Sequence, residues 1–573
     1  MKVKKTLIYI LVVIVIFVLT FLIVKHVIEK KDDGQNEEFI NNTKYENTVN
    51  QIETEEEISN LKINNEEKLK NKDIKIVNTV SDMKKIDFKL GEIVETRGYY
   101  EVNDNGAGIY EIVDKNEDNV GEDLDNGLDA EIIVKDKLNV HQLGAKGDGI
   151  TDDTKAIQKA FNYGDGYIEF SEGKTYKVTE LELREGNKIL GNGASLKRAN
   201  LKSSEYQYTD EQIYWNRLII FSYYEENGGN SKDTSIDNLT FDGSAFDMWS
   251  KEDEYKYQQA SLLLVLANSE KQKEIHANIN VTNCKFINNY SDGIHMAQNV
   301  NAKIENCVSQ DCFRGGLVIT GGASNIECNN MKCISNTVND GVDVEIDSEG
   351  YDGTKKSNIN ISNMKIDDDF DVAVVDGSKF YGDSIEMTKD TGSFNLENFE
   401  SKIEIKNSKF YSDGTSCYFE KGNTQLKNVK FYAASDIQEN TQLLELIDLG
   451  KGNIENYFEI KNCKFYGLED RKYLISGIGG AINNGKIEVI GCYFDQNINQ
   501  YAIGGEVAPT HFQVREILVK DCVFDNIGYS CCIVKNKYIE SSKWIFSNMK
   551  VTNEQNKGIF REWGKDAIVE YVN

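Results

Sequence analysis

The chain has 573 residues, 65 Lys and Arg against 94 Asp and Glu, a net charge of −29, and one proline beside 45 glycines. Its 40% hydrophobic and 10% aromatic content can build a core, which excludes wholesale disorder. The acidic balance argues against nucleic acid as a partner, because phosphates demand clustered Lys and Arg; an anionic polymer is an awkward partner unless a cation or a local arginine mediates.

The N-terminus reads MKVKK and then Thr6 to Val24, nineteen almost wholly aliphatic residues without a charge. As a helix that run is about 28 Å long, one hydrocarbon core. No small-residue cleavage site follows it, so residues 1–25 are expected to be an uncleaved membrane anchor rather than a signal peptide or a buried helix. A large acidic body after a lone anchor is expected to be exported, extracytoplasmic and tethered to the cell surface. Residues 26–73 are rich in Glu, Lys and Asn with thin apolar spacing, and read as a solvated stalk. Residues 74–137 are strand-like runs punctuated by Gly and Asp, a small β module.

At Leu138 to Phe161 the pattern is a strand, a glycine turn and a helix whose N-cap is expected at Thr151 or Asp152. The helix presents Ala156, Ile157, Ala160 and Phe161 on one face, suited to plugging an open β-structure. Asp148, Asp152 and Asp153 read as turn and cap residues.

From about residue 234 the chain repeats an apolar-x-apolar-x-Asn-x-x-aromatic unit, as in Ile279 to Phe286, Ile403 to Phe410 and Phe458 to Phe465. Aligned on the Asn, the column runs Asn238, Asn283, Asn306, Asn330, Asn363, Asn407, Asn428, Asn462, Gly491, Asp521 and Asn548. Spacings are 21 to 34 residues, with two gaps of 44 and 45 that fit a doubled coil or an inserted loop. Short period-two strands that each end at a turn residue describe a parallel β-helix whose coils stack about 4.8 Å apart. The Asn column is expected to form a ladder of mutually bonded amides. Cys284, Cys307, Cys463, Cys492 and Cys522 share a slot with Leu239, Met331 and Val429, an interior position.

The segment Gly144-Ala145-Lys146-Gly147-Asp148-Gly149-Ile150-Thr151-Asp152-Asp153-Thr154-Lys155-Ala156-Ile157-Gln158 resembles the hallmark first coil of the pectate-lyase superfamily, in its rhamnogalacturonase and epimerase-like branch. The resemblance implies an all-β, single-stranded right-handed parallel β-helix over residues 138–573 that acts on or binds polysaccharide. It also makes 74–137 look like the small β module often placed ahead of such helices.

Three coils aligned on Gly293, Gly316 and Gly341 bring together the candidate site. Alternation turns Ile294, Met296, Leu317, Val342 and Val344 inward and leaves His295, Asp343 and Glu345 outward. Asp292 and Asp340 share a column two coils apart, roughly 9 to 10 Å, near the upper end for the carboxyl pair of an inverting glycosidase. Arg314 lies on the coil between them. Asp292, Arg314, Asp340 and Asp343 are the catalytic candidates; His295, Trp215 and Trp249 are the substrate-binding ones. Hydrolysis would use the carboxyls as acid and base. Lyase or epimerase chemistry would remove a proton beside a uronic carboxylate neutralised by Arg314 or by Ca²⁺ on Asp340, Asp343 and Glu345.

Ser291 to His295 and Asn339 to Asp343 look like the polygalacturonase Asn-Thr-Asp-Gly-Ile motif. Arg314-Gly315 stands where that family has its paired aspartates, and no Arg-x-Lys follows, which argues against polygalacturonase activity. The sequence therefore points to a polysaccharide lyase or hydrolase, with a non-catalytic adhesin or wall-binding scaffold as the alternative.

Overall fold

The computed structural model describes residue 69 and residues 72–573, except 117–119, 246–255, 272, 323, 335–341, 347–355, 368, 376, 391–392, 413–415, 436, 438–439, 449–455, 470–471, 505–512, 526, 528–529, 537–541, 553–559, 565–566 and 573. The apolar segment Thr6–Val24 and most of the stalk lie outside the described residues. Among the described residues no helix is long and apolar enough to cross a membrane.

The first five strands, Ile74–Val77, Ile93–Thr96, Ile109–Val113, Gly121–Asp123 and Asp129–Ile132, form one sheet with the last two exchanged in order. The first pair is parallel and the others antiparallel. Val80, Met83, Phe88, Val94 and Tyr110 fill its core. Glu122, almost fully buried, ties this sheet to the helix that follows. It accepts from Tyr99 Oη at 2.9 Å, Lys84 Nζ at 2.5 Å and Lys159 Nζ at 3.1 Å. A carboxylate so buried is tolerated only because three donors saturate it.

The coil begins at Lys137–Asn139, which pairs in parallel with Gly166–Glu169. The helix Thr154–Asn162 buries Ile157, Ala160 and Phe161 against Leu138, Val140, Leu143 and Ile168. Its N-cap is Asp153 rather than Thr151 or Asp152, and the Asp153 side chain caps nothing in the helix. That carboxylate turns back to accept from the amides of Lys146 at 2.7 Å and Gly147 at 3.0 Å, pinning the glycine turn. Asp152 accepts from the Thr154 amide, and Asp148 from those of Ile150 and Thr151. All three aspartates do turn chemistry.

Beyond the cap, strands stack in parallel register from coil to coil. Val281 sits on Ile304, Ile304 on Cys328, Cys328 on Ile361, and Ile361 on Gly382. Inward side chains pile into columns. Phe431, Phe465, Phe494 and Phe524 stack at centroid distances of 5.1, 4.8 and 5.3 Å with nearly parallel planes. Each such ring contributes about 1.5–3 kcal/mol by burial, and each pair about 0.5–1.5 kcal/mol more.

Every member of the Asn column, including Gly491 and Asp521, has φ between +48° and +65°. A left-handed residue lets the chain turn the corner between two strands, and Asn, Asp and Gly tolerate it best. The expected amide ladder holds only in part. Asn330 donates to Asn306 at 2.7 Å, Asn428 to Asn407 at 3.0 Å and Asn548 to Asp521 at 2.7 Å. Asn283, Asn363 and Asn407 donate instead to Asp237, Asn329 and Asp383, one position earlier on the coil below. The common feature is the backbone turn, and the amides take whichever exposed acceptor lies beneath. A second ladder joins Asn278, Asn301, Asn325 and Asn358 at 2.8 to 3.0 Å.

The two long gaps have different causes. Between Asn363 and Asn407 an extra coil turns at Ser384, φ 58°, carried by the strand Lys379–Asp383. Between Asn238 and Asn283 no coil is added, because Thr234–Asp242 pairs directly with Ile275–Thr282 and Lys285–Asn289. That gap holds an inserted loop. The nine described cysteines are free thiols and buried.

Candidate functional site

The strands Ile219–Tyr224, Leu263–Asn268, Ile294–Met296, Leu317–Ile319, Val342–Ile346 and Phe370–Val374 stack so that Ile219, Leu263, Ile294, Leu317, Val342 and Phe370 lie at one level. Two residues earlier on these coils stand Arg217, Ser261, Asp292 and Gly315. One residue later the register runs Ile220, Leu264, His295, Val318, Asp343 and Asp371. Register thus puts Asp343 beside Asp371, with backbones about 4.8 Å apart.

Asp292, His295 and Arg314 come together. Arg314 Nε lies 3.6 Å from Asp292 Oδ1, and His295 Nδ1 lies 3.5 Å from Oδ2. Ser261 Oγ donates to Oδ2 at 3.2 Å. The Asp292 carboxylate is completely buried, and His295, expected on an open outer face, is only 11% exposed, while Arg314 keeps 26%. The cover is the end of the inserted loop. The Gln258 carbonyl accepts from Arg314 Nη1 at 3.1 Å and from Ser291 Oγ at 2.5 Å, and Tyr257 packs on Tyr290.

Gly293 is required for this packing. A Cβ there would meet Ser309 Oγ at 2.4 Å and the Gly316 carbonyl at 2.9 Å. Beneath the cluster, buried Arg198 donates to Asn289 Oδ1 at 2.8 Å and to the carbonyls of Ala260 and Ser261. Asn289 in turn donates to the Asp292 carbonyl at 2.9 Å, so the backbone under the carboxylate is fixed from two sides.

Burial, reinforced by the charges of Arg314 and Arg217, pushes His295 down to about 3. Its imidazole is neutral at ordinary pH. Thr320 Oγ1 lies 2.8 Å from Nε2, which fits the tautomer whose Nδ1–H faces Asp292 while the threonine hydroxyl donates to Nε2. Burial also lowers Arg217, with Glu180, Tyr214 and Asp292 favouring its charge. Arg217 lies over the Trp215 ring at 5.0 Å and donates to the Trp215 carbonyl at 2.6 Å. Trp215 is 53% exposed. One guanidinium, that of Arg314, thus pairs with the buried carboxylate, while that of Arg217 lies on an open indole and feels the same charge through space. Further along the row, Asp371 accepts from Asn395 Nδ2 at 2.8 Å, and burial with nearby Asp369 raises its pKa. The guanidiniums of Arg217 and Arg314 lie toward the first of these coils and the carboxyl of Asp371 toward the last.

Asp340 and Trp249 lie outside the described residues, as do the side chains of Asp343 and Glu345. Among the described residues no group of three or more His, Cys, Asp or Glu is arranged to hold a metal ion. Sequence reasoning missed Arg217 and Ser261, although Arg217-Leu218-Ile219-Ile220 and Ser261-Leu262-Leu263-Leu264 carry the same inward pattern as Asp292-Gly293-Ile294-His295.

Residues 137–368 match the family described as Rhamnogalacturonase A/epimerase, pectate lyase-like. No curated protein matches the chain in sequence. Among solved structures it is similar to the enzymatically active domain of bacteriophage CBA120 tailspike protein 4, at 12% identity and TM-score 0.43 over 73% of this chain; it spans only 54% of that one. It is similar to the Yersinia enterocolitica family 28 exopolygalacturonase at 13% identity and TM-score 0.35, covering 78% of this chain and 82% of the enzyme. The Azotobacter vinelandii mannuronan C-5 epimerase A-module gives 13% identity and TM-score 0.35, with coverages of 73% and 100%. Residues 137–368, which hold the cap and the first coils, are thus similar to the pectate-lyase-like family, and the stacked strands form a parallel β-helix.

Proposed function

We propose that this protein binds an acidic polysaccharide across the coils from Arg217 to Asp371 and modifies it as a lyase, epimerase or hydrolase. The observation that carries the reading is the pair Arg217 and Arg314 beside open Trp215 in a chain of net charge −29. Arginine forks suit carboxylates, and an exposed indole suits a sugar face. In this reading Arg314 neutralises a uronic carboxylate, with Arg217 beside it and Trp215 stacking on a neighbouring ring. Asp292 is a positioning residue that holds the Arg314 guanidinium, and His295 faces Asp292 behind it, because neither the buried carboxylate nor the weakly basic imidazole is open to substrate.

Acid and base then come from the Asp371 end of the row. A raised pKa is what a general acid requires, and Asp371 has one; Asp340 and Asp343 complete the set. Asp340, Asp343 and Glu345 have the hard oxygen donors that Ca²⁺ takes, and when bound the ion would supply charge neutralisation. The coil is taken as right-handed, the hand of nearly all parallel crossovers. Thr6–Val24 is taken as the tether that holds the body outside the membrane.

A non-catalytic glycan-binding scaffold is the second reading, favoured by the complete burial of Asp292. The test is to incubate the full chain with uronate-containing and neutral polysaccharides, with and without Ca²⁺. Unsaturated uronate absorbance, reducing ends and binding are followed together. Product formation that Asp371→Asn removes supports the enzyme. Binding without product supports the scaffold, and neither binding nor product refutes both.

A further inference from the structure

We propose that a second face of the coil is a docking strip for a polyanionic glycan lying along the solenoid axis: the outer surface of the strands Lys409–Ser412, Lys430–Ala433 and Lys464–Tyr466. It lies on a different strand of each coil from the Arg314 cluster and requires neither that site nor any catalysis.

Parallel register stacks Lys409 on Lys430 and Lys430 on Lys464, and likewise Tyr411 on Tyr432 and Tyr432 on Tyr466. The intervening Phe410, Phe431 and Phe465 point into the core, so both rows face outward. The tyrosine rings follow one another at 5.5 and 4.6 Å, and Lys409 Nζ lies 4.7 Å from the Tyr411 ring and 5.6 Å from that of Tyr432. One ammonium and one phenol recur per coil, about every 4.8 Å, a step that one sugar ring per coil can follow.

Charge complementarity selects the occupant. On the strands preceding these, Lys402 is neutralised by Glu404 at 3.4 Å, Lys406 by Asp383 at 3.4 Å and Lys427 by Glu459 at 3.5 Å. Among the described residues no carboxylate pairs with Lys409, Lys430 or Lys464, and the hydroxyls of Tyr411, Tyr432 and Tyr466 make no hydrogen bond. Three unneutralised ammoniums in line stand out in a chain with 94 acidic residues. Acidic side chains bound the strip: Glu386 precedes Lys409 in register, and Asp495 lies beyond Tyr466. The rings present edges and hydroxyls rather than open faces, so the ligand would be held by anionic groups on the lysines and hydroxyls on the phenols. Mutual stacking fixes the tyrosines beforehand, which lowers the ordering cost of binding.

The test measures binding of the full chain to immobilised polygalacturonate, dextran sulfate and neutral dextran at low and high salt. The variants are Lys409→Gln/Lys430→Gln/Lys464→Gln, Tyr411→Phe/Tyr432→Phe/Tyr466→Phe, and a control with Lys89→Gln/Lys155→Gln/Lys174→Gln. Expected are salt-sensitive binding to at least one polyanion, an affinity loss of about tenfold or more in the first variant, a few-fold loss in the second, and less than about twofold in the control. Arg314→Gln should leave the strip's contribution in place, so that the further loss on adding the three lysine changes is unaltered. No binding of either polyanion, unchanged affinity in the lysine variant, or an equal loss in the control would overturn the proposal.

Discussion

Two stretches of the same solenoid share one register and differ in where they keep their charge. In the coils from Lys402 to Lys486 the outward neighbours on one face are Lys and Glu, paired at the surface, as where Lys427 reaches Glu404 at 3.7 Å and Glu459 at 3.5 Å. In the coils from Ser261 to Thr320 a carboxylate, an imidazole and a guanidinium stand together, largely withdrawn from water. A parallel coil needs only its inward row to stand. Buried charge adds desolvation cost without helping the stack, and such departures from local economy collect at functional sites.

The largest expected effect lies in what the two stretches have in common. Phe410, fully buried and 4.0 Å from the Phe394 ring centroid, should cost about 3–5 kcal/mol of stability when replaced by Ala, read by chemical or thermal unfolding. The contrast comes next. Asp292→Ala, which leaves Arg314 without its buried counter-charge, should cost about 3 kcal/mol, whereas Glu404→Ala on the paired face should cost under about 1 kcal/mol. Equal costs would erase the distinction.

Acid should sharpen it. His295 stays neutral in the fold down to about 3, while the unfolded chain takes a proton near 6.5. Between those values the unfolded state binds more protons, so stability falls as pH falls, by about 1.4 kcal/mol per pH unit for this one group. The wild type should lose stability more steeply than His295→Gln between pH 6 and pH 4, and identical slopes would contradict the buried neutral imidazole. The smallest effect belongs to the turn. Asn306→Ala, at φ 57°, should cost about 1–2 kcal/mol, while Asn306→Gly costs less.

The solenoid was legible because its two requirements are written locally: an inward residue at every second strand position, and a left-handed residue at the corner. The corner rule explains why Gly491 and Asp521 fit a column of asparagines, and why Ser384 hid one coil. The meeting of Asp292, His295 and Arg314 followed from aligning three glycines. Their burial did not, because it depends on Gln258 and Tyr257, in a loop that shares no periodicity with the coils. Arg217 and Ser261 escaped notice since their coils precede the regular Asn-aromatic units, so nothing in the repeat marks their level. Asp153 was misplaced by one or two residues at the helix start because three aspartates and a threonine compete there for the same amides.

The central claim is that arginines on the buried-charge face engage an acidic glycan. The most direct measurement is the affinity of the full chain for uronic-acid oligosaccharides, compared between wild type, Arg314→Gln and Arg314→Lys by titration calorimetry. The account predicts a loss of about tenfold or more in the Gln variant and a partial loss in the Lys variant, which keeps the charge and loses the fork. Wild-type affinity in Arg314→Gln would contradict it.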